Sequence, residues 1–150
     1  MSSHDQLRFG LDTFGDTQND DGGDPISAAQ TIRNVIAEGV LADSLGLNNF
    51  NIGEHHRDDF SVSAPDTVIA GIATVRKHIG LGSGVTVLSS DDPIRVYQRF
   101  ATINALSQGR AEITAGRGSF IESFPLFGYE LSDYNILFEE KLQLLVEALK

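Results

Sequence analysis

The sequence repeats one cycle four times: a short apolar segment, a polar or glycine-rich loop, and an amphipathic segment with helical spacing. Short strands that alternate with helices at this spacing predict a parallel sheet with right-handed crossovers. Two α/β folds fit this pattern. A doubly wound sheet reverses its strand order, whereas a (β/α)₈ barrel continues for eight units and about 250 residues.

Turn residues and apolar spacing set the boundaries of the predicted elements. The predicted strands are residues 7–12, 50–53, 79–88 and 111–115, and the predicted helices are residues 25–45, 64–78, 93–108 and 134–150. Pro25 opens the first helix, Ser63 caps the second, and Asp92-Pro93 starts the third. The last helix keeps its apolar spacing through Leu149 with no capping residue, so we expect it to be still running at Lys150. Four units in 150 residues predict the N-terminal half of a barrel, cut from a longer protein as a single domain over residues 1–150.

Charge and composition exclude several classes of function. Eleven Lys and Arg against 21 Asp and Glu give a formal charge of −10, which argues against nucleic acid or an anionic membrane as the partner. No apolar run approaches the roughly 20 residues of a membrane span, and the polar segment 1–6 lacks the order of a signal peptide. The absence of cysteine excludes thiolate catalysis and fits a reducing cytoplasm, where we expect the protein to act.

The densest group of ionisable residues, Glu54-His55-His56, follows the second predicted strand. This end of a parallel strand is the ligand-binding edge in both candidate folds. One histidine could act as a general acid or base near neutral pH, or both could ligate a metal with nearby carboxylates. Adjacent ligands usually point apart, which disfavours the metal site. A loop of solvated charges is the third interpretation.

Two glycine-rich segments have different meanings. Gly80-Leu81-Gly82-Ser83-Gly84 lies inside the third predicted strand, whereas a dinucleotide motif lies between strand and helix, so we interpret its glycines as places of close approach by a flat ligand or a neighbouring strand. Gly116-Arg117-Gly118 follows the fourth predicted strand. There the glycines let the backbone come close to a ligand and Arg117 offers a fixed charge for a phosphate, or the arginine is a surface residue.

Several segments together resemble the bacterial luciferase-like flavin monooxygenases, in order and with matching spacing across about residues 7–150. These segments are Gly53-Glu54-His55-His56, residues 82–96 (GSGVTVLSSDDPIRV), residues 106–112 (LSQGRAE) leading to Gly116-Arg117-Gly118, and Phe127-Gly128. The resemblance implies a (β/α)₈ barrel that binds flavin mononucleotide (FMN) at the carboxyl ends of its strands.

The resemblance also implies roles for individual residues. His55 corresponds to a pocket histidine that assists flavin chemistry, and no metal is implied. Gly84-Val85 corresponds to a non-prolyl cis peptide beneath the isoalloxazine ring, Gly116 to the reactive edge of the ring, and Arg117 to the arginine that contacts the flavin phosphate. The family's other phosphate contacts come from the second half of the barrel, so we expect this chain alone to bind FMN weakly or not at all.

The activity implied by the resemblance is monooxygenation: reduced FMN, supplied by a separate reductase, reacts with O₂ and a small organic substrate is oxidised. Deazaflavin-dependent hydride transfer within the same superfamily is the nearest alternative. A non-catalytic half-barrel that only binds flavin, or that pairs with another half-barrel, is a second class of function. The exposed edges of a half-barrel predict a homodimer or an edge-paired oligomer.

Overall fold

The computed structural model describes residues 7–150, and the segment 1–6 examined above for a signal peptide lies outside the described residues. The strands are β1 (Gly10–Thr13), β2 (Asn49–Ile52), β3 (Gly80–Ser83), β4 (Thr86–Val87), β5 (Ala111–Glu112) and β6 (Ala115–Gly116). The helices are α1 (Ala28–Ser44), α2 (Pro65–Val75), α3 (Pro93–Ser107), α4 (Ser123–Phe127) and α5 (Tyr134–Ala148), with a 3₁₀ turn at Leu131–Asp133. None of the helices within residues 7–150 has the length and apolarity that a membrane crossing requires.

All strand pairs in the two sheets are parallel. The main sheet has the order β1-β2-β3-β5, and β4 pairs with β6 in a short continuation. The order is sequential along the chain and does not reverse, so the doubly wound alternative is wrong. The fold is the α/β half-barrel of four strand–helix units that the sequence predicts.

One face of the sheet is buried against the helices. Phe50 and Ile52 of β2 and Leu81 of β3 are almost fully buried in one core with Ile69 and Ile72 of α2. The core continues through residues of α1, α3 and α5, which are Val35, Ala42, Val96, Phe100, Ile103 and Leu145. Burial of this apolar face fixes which side of each strand turns toward the helices, because side chains alternate along a strand.

The other face carries polar side chains opposite glycines. Asn51 donates a hydrogen bond to Asp12 Oδ1 at 2.7 Å across the β1–β2 pair. A Cβ at Gly82, which pairs with Asn51, would lie 2.5 Å from the Asn51 Oδ1 atom, and one at Gly80 would lie 2.7 Å from Asn49 Nδ2. These glycines therefore make room for side chains of the neighbouring strand, which confirms one of the two meanings predicted for the Gly-x-Gly-x-Gly segment.

The first strand and first helix begin later than predicted. Strand β1 starts at Gly10 because the amide of Phe9 bonds to the side chain of Asn48 at 2.8 Å and not to a backbone carbonyl of β2. Helix α1 starts after Ser27, whose hydroxyl accepts from the amide of Gln30, so Pro25 does not open it. Pro25 instead forms an isolated bridge with Asn19.

The third and fourth predicted strands are each divided in two. The segment 79–88 breaks between β3 and β4 at Gly84-Val85, which is a cis peptide bond, as the resemblance implies. The segment 111–115 breaks between β5 and β6. In each case the second piece leaves the main sheet to pair in the short one, so a single run of apolar residues covers two separate strands.

Three helix boundaries also differ from the prediction. Ala64, not Ser63, is the N-cap of α2 and makes no side-chain capping bond, and α2 ends at Val75, short of His78. Helix α5 starts at Tyr134 as predicted but ends at Ala148, since the amide of Leu149 closes its last turn. The sequence prediction missed α4. The capped start of α3 at Asp92-Pro93 is confirmed, because Asp92 accepts bonds from two amides of the first turn.

A single guanidinium ties three elements together at the amino end of the strands. Arg110 donates to the carbonyl oxygens of Ser107 (2.7 Å), Ile79 (2.6 Å) and Arg76 (2.6 Å), with a longer bond to Ala73 (3.3 Å). The carbonyls of Ala73, Arg76 and Ser107 belong to the ends of α2 and α3, where backbone oxygens lack helical partners. A cation at two helix C-termini is also favoured by the helix dipoles.

We predict that Arg110→Met lowers the free energy of unfolding by about 2–4 kcal/mol, because it leaves several half-buried carbonyls without a donor. Urea denaturation of the two proteins measures the difference. Arg95→Met is the matched control, since Arg95 bonds only Gln98 on the exposed side of α3 and should change stability by less than about 0.5 kcal/mol. Equal midpoints for the parent and Arg110→Met would contradict the prediction.

Candidate active site

The carboxyl ends of the strands meet at one edge, and the polar loops follow from there. The amide of Gly53 bonds to the carbonyl of Thr13, and the amide of Gly84 bonds to that of Ile52, both at 2.8 Å. The amide of Leu88 bonds to Gly116 at 2.9 Å. These bonds bring the loops after β1, β2, β4 and β6 side by side, as expected for the ligand-binding edge of a barrel.

Glycine is required at two points of this edge. A Cβ at Gly53 would lie 2.3 Å from Phe14 Cδ1 and 3.0 Å from the carbonyl oxygen of Gly84. A Cβ at Gly116 would lie 2.5 Å from Val85 Cγ2. Gly116 therefore contacts the side chain of the cis peptide pair, which brings three of the four residues expected at a cofactor together: Gly84, Val85 and Gly116.

His55 lies among aromatic rings. Its imidazole centroid is 4.2 Å from the ring of Phe60, 5.0 Å from that of Phe120 and 5.1 Å from that of Phe14. Its Nδ1 atom is 3.9 Å from Oε1 of Glu122, and 12% of the His55 side chain is exposed. The imidazole is thus largely shielded from water beside one carboxylate.

Burial and charge act on the His55 imidazole in opposite directions. Desolvation lowers the pKa of His55 below its ordinary value of 6.5, while Glu122 and, more weakly, Asp16, Asp59 and Glu54 raise it. Desolvation prevails, because the rings remove water that would solvate the imidazolium ion. His55 is therefore neutral at pH 7 and able to accept a proton, which fits the general acid–base interpretation.

His56 points to a different set of groups. Its Nε2 atom lies 2.8 Å from Glu54 Oε1, and its ring is 5.1 Å from that of Phe127. The second carboxylate oxygen of Glu54 accepts a 3.0 Å hydrogen bond from the amide of Val87. Glu54 and His56 therefore connect the end of β2 to β4.

The neighbourhood of His55 and His56 lacks the geometry of a metal site. The two imidazoles face different partners, as adjacent residues on an extended segment do. Within residues 7–150, no three His, Asp or Glu side chains converge in a way that could hold an ion. Of the carboxylates near His55, Asp59 makes a two-pronged ion pair with Arg57 at 2.9 Å, and Arg57 lies over the ring of Phe120.

Arg117 is exposed and is held by the start of α5. Its Nη1 atom donates to Asn135 Oδ1 at 2.9 Å, and its guanidinium lies 5.5 Å from the ring of Tyr134 and 5.7 Å from that of Phe138. The Tyr134 hydroxyl donates to the carbonyl of Gly118 at 2.9 Å, which fixes the loop that carries Arg117. Within residues 7–150 the Arg117 side chain makes no other hydrogen bond, so its remaining N–H groups can donate to an anion.

Two cavities open at this edge. One of about 360 Å³ lies beside Arg117 and is lined by Gly118, Ser119, Phe120, Ile121, Leu131, Tyr134 and Asn135. The other, of about 340 Å³, lies next to Glu54 and His56 and reaches Asp66, Asp91 and Arg99. Arg99 forms ion pairs with Asp66, at 2.8 Å, and with Asp91, so the only cation that lines that cavity within residues 7–150 is shared by two carboxylates.

Sequence reasoning missed the groups that surround His55 and Arg117. Phe14, Phe60, Phe120 and Glu122 come from three loops, and no local pattern links them. Large aromatic residues in otherwise polar loops were the available signal. Asn135 follows Tyr134, which was recognised only as a helix start.

The arrangement fits a planar cofactor with an anionic tail. The backbone of Gly116 lies against the Val85 side chain, so Gly84, Val85 and Gly116 form one close-packed patch that offers a flat ring a surface to lie on. Arg117 follows directly and has free donors for a phosphate. His55 supplies a neutral imidazole at the same edge.

Comparison with known proteins identifies the family. The model of the luciferase-like monooxygenases matches residues 8–150. N-acetyl-S-alkylcysteine monooxygenase of Bacillus subtilis is 28% identical over 124 residues, which cover 81% of this chain and 37% of that protein. The chain spans less than two-fifths of the length of the curated relatives it matches.

Solved structures share the fold. The oxygenating constituent of 3,6-diketocamphane monooxygenase from Pseudomonas putida, in complex with FMN, superposes with a TM-score of 0.81 at 22% identity, over 93% of this chain and 38% of that one. The coenzyme F420 dependent tetrahydromethanopterin reductase of Methanopyrus kandleri has a TM-score of 0.61 at 22% identity, over 84% and 31% of the two chains. The match of the family model over residues 8–150 establishes that this chain belongs to the luciferase-like monooxygenase family.

Proposed function

We propose that the protein acts as an FMN-dependent monooxygenase, with residues 1–150 forming one luciferase-like domain. The observation that carries the proposal is the position of the His55 imidazole, largely shielded by aromatic rings, at the same strand edge as the Gly84-Val85 peptide and Gly116. Membership of the family supports the reaction class. The substrate would be a small organic molecule, oxidised with O₂ and reduced flavin.

In this proposal four residues hold the cofactor. Gly84, Val85 and Gly116 lie against the ring, and Arg117 binds the phosphate, with its guanidinium oriented by Asn135 and Tyr134. Bound reduced FMN supplies the electrons that activate O₂. The protein's own contributions are to orient the ring, to exclude water from it, and to move a proton at His55.

His55 acts as a general base in this scheme. Its ring is neutral near pH 7, and Phe14, Phe60 and Phe120 keep bulk water from its faces. Glu54 and His56 act indirectly, because they hold the end of β2 against β4.

The reduced flavin would come from a separate reductase. A solved structure of the same fold is the oxygenating constituent of its enzyme, which supports a two-component system. The uncovered edge strand β1 supports a homodimer or an edge-paired oligomer, for which gel filtration is the direct test.

Hydride transfer with a deazaflavin is the second candidate, favoured by the fold shared with an F420 dependent reductase. Oxygen consumption distinguishes the two functions, because a monooxygenase consumes O₂ when supplied with reduced FMN and substrate. Reduction of F420 by a substrate, without uptake of O₂, would favour the second candidate.

We predict that a protein extended to full barrel length binds FMN, and that Arg117→Ala in that protein weakens binding by about 1.5–3 kcal/mol, or roughly 10- to 150-fold, because a charged partner of the phosphate is lost. Quenching of flavin fluorescence measures the dissociation constant. Arg33→Ala, on the exposed side of α1, is the control and should bind FMN as the parent does. An unchanged dissociation constant in Arg117→Ala would remove this arginine from the site.

We predict that, in a protein extended to full barrel length, His55→Ala lowers turnover by about 10²–10⁴-fold and leaves FMN affinity nearly intact, since it removes a proton acceptor and not a binding group. His56→Ala should cost less than about tenfold, because His56 contacts Glu54 and not the proposed reaction site. Steady-state kinetics with reduced FMN tests both. His78→Ala, at the amino end of β3, is the control. Equal losses in His55→Ala and His56→Ala would contradict the assigned roles.

We predict an acid limb in the pH profile of kcat/KM that belongs to His55. Because burial lowers the pKa of His55 below 6.5, the imidazole stays neutral at higher pH and gains a proton only as the pH falls below 6.5. The rate should therefore be constant above that value and decline below it. A limb that persists unchanged in His55→Ala would assign it to another group.

A further inference from the structure

We propose that Glu122 is a positioning residue for His55, which holds the imidazole by its Nδ1 side and stabilises it when it takes up a proton. Glu122 lies at the start of α4, in the loop that follows β6, whereas His55 follows β2. Its Oε1 atom is 3.9 Å from His55 Nδ1, within the range of an ion pair once the ring is charged. This inference rests on the proposed role of His55 in proton transfer.

The aromatic rings make a nearby carboxylate necessary. Phe14, Phe60 and Phe120 surround the imidazole at centroid distances between 4.2 and 5.1 Å, so few water molecules can solvate a positive charge there. A proton on His55 then requires compensation from the protein itself. Glu122 shares this partly shielded environment, with 23% of its side chain exposed.

The other charged groups near His55 are committed elsewhere or lie in solvent. Glu54 is bonded to His56 and to the amide of Val87, and Asp59 is bonded twice to Arg57. Asp16 is exposed, so water and salt screen its charge. Arg57 lies over Phe120 and repels a protonated imidazole, although Asp59 offsets much of its charge.

Glu122 is therefore the carboxylate best placed to respond to a charge on His55. Among residues 7–150, no side chain or backbone donor forms a hydrogen bond to its carboxylate, although the charge of Arg57, which is paired with Asp59, also acts on it. Of the carboxylates that raise the pKa of His55, Glu122 has the largest effect. The apolar rings keep His55 neutral at rest, and Glu122 limits the cost of its protonation during turnover.

The test is an NMR titration of the His55 imidazole in the purified protein, with its signal assigned by its loss in His55→Gln. We expect Glu122→Gln to reduce the proton affinity of His55 at least about fivefold. This factor corresponds to the attraction of about 1 kcal/mol between opposite unit charges about 4 Å apart in water. Glu122→Asp, which keeps the charge, should restore part of the affinity. Glu130→Gln removes an equal charge from an exposed position eight residues later and should leave the titration unchanged.

Two outcomes would overturn the proposal. One is a His55 titration in Glu122→Gln that matches the parent, and the other is a shift no larger than in Glu130→Gln. If Glu122→Gln folded poorly, the proton affinity of His55 in Glu122→Asp would be compared at low salt and at 1 M salt, where charge pairs are screened. A lower affinity at 1 M salt would support the proposal, and an unchanged affinity would overturn it. The titration is independent of turnover. Normal turnover in His55→Ala would refute the proposed catalytic role of His55. The His55–Glu122 interaction would still be tested by the titration of the protein that keeps His55.

Discussion

The in-step parallel pairing of β1, β2 and β3 is the constraint on which the site depends. Thr13, Ile52 and Ser83 are paired across the sheet as the last residues of their strands, so the loops that follow leave from one line. A shift of one residue would turn Phe50 and Ile52 away from the helices, and burial of these side chains therefore enforces the register. The hydrophobic core in this way makes the loops that carry His55 and the Gly84-Val85 peptide leave the sheet at the same edge.

Neighbouring residues acquire different roles because the chain is extended beyond β2. His55 enters an aromatic pocket with Glu122, while His56 turns to Glu54 and links β2 to β4. The acid–base interpretation needs a single isolated imidazole, whereas a metal needs converging ligands. The alternation of side chains along an extended backbone favours the first.

The sequence was sufficient for the succession of four strand–helix units, because it follows from local patterns. The start of α3 at Asp92-Pro93 was predictable, since a capping carboxylate and a proline act within one turn. The division of the segment 79–88 was not visible in its apolar pattern, and the family resemblance implied only the cis peptide at Gly84-Val85. The aromatic pocket of His55 was unpredictable, because Phe14, Phe60 and Phe120 meet only after the strands align.

The uncovered side of β1 follows from its position at the edge of the sheet. Leu11, Phe50 and Leu81 form one row across three strands and face the same side, yet their exposed fractions are 49%, 1% and 0%. This row is buried only where a strand has neighbours on both sides, because helices then cover it from both sides. Within the described residues, β1 pairs with one strand, β2. An apolar row beside unpaired backbone groups favours contact with a further strand–helix unit or with a second copy of the chain. The polar face of the same strand, with Asp12 bonded to Asn51, would then turn toward the barrel interior.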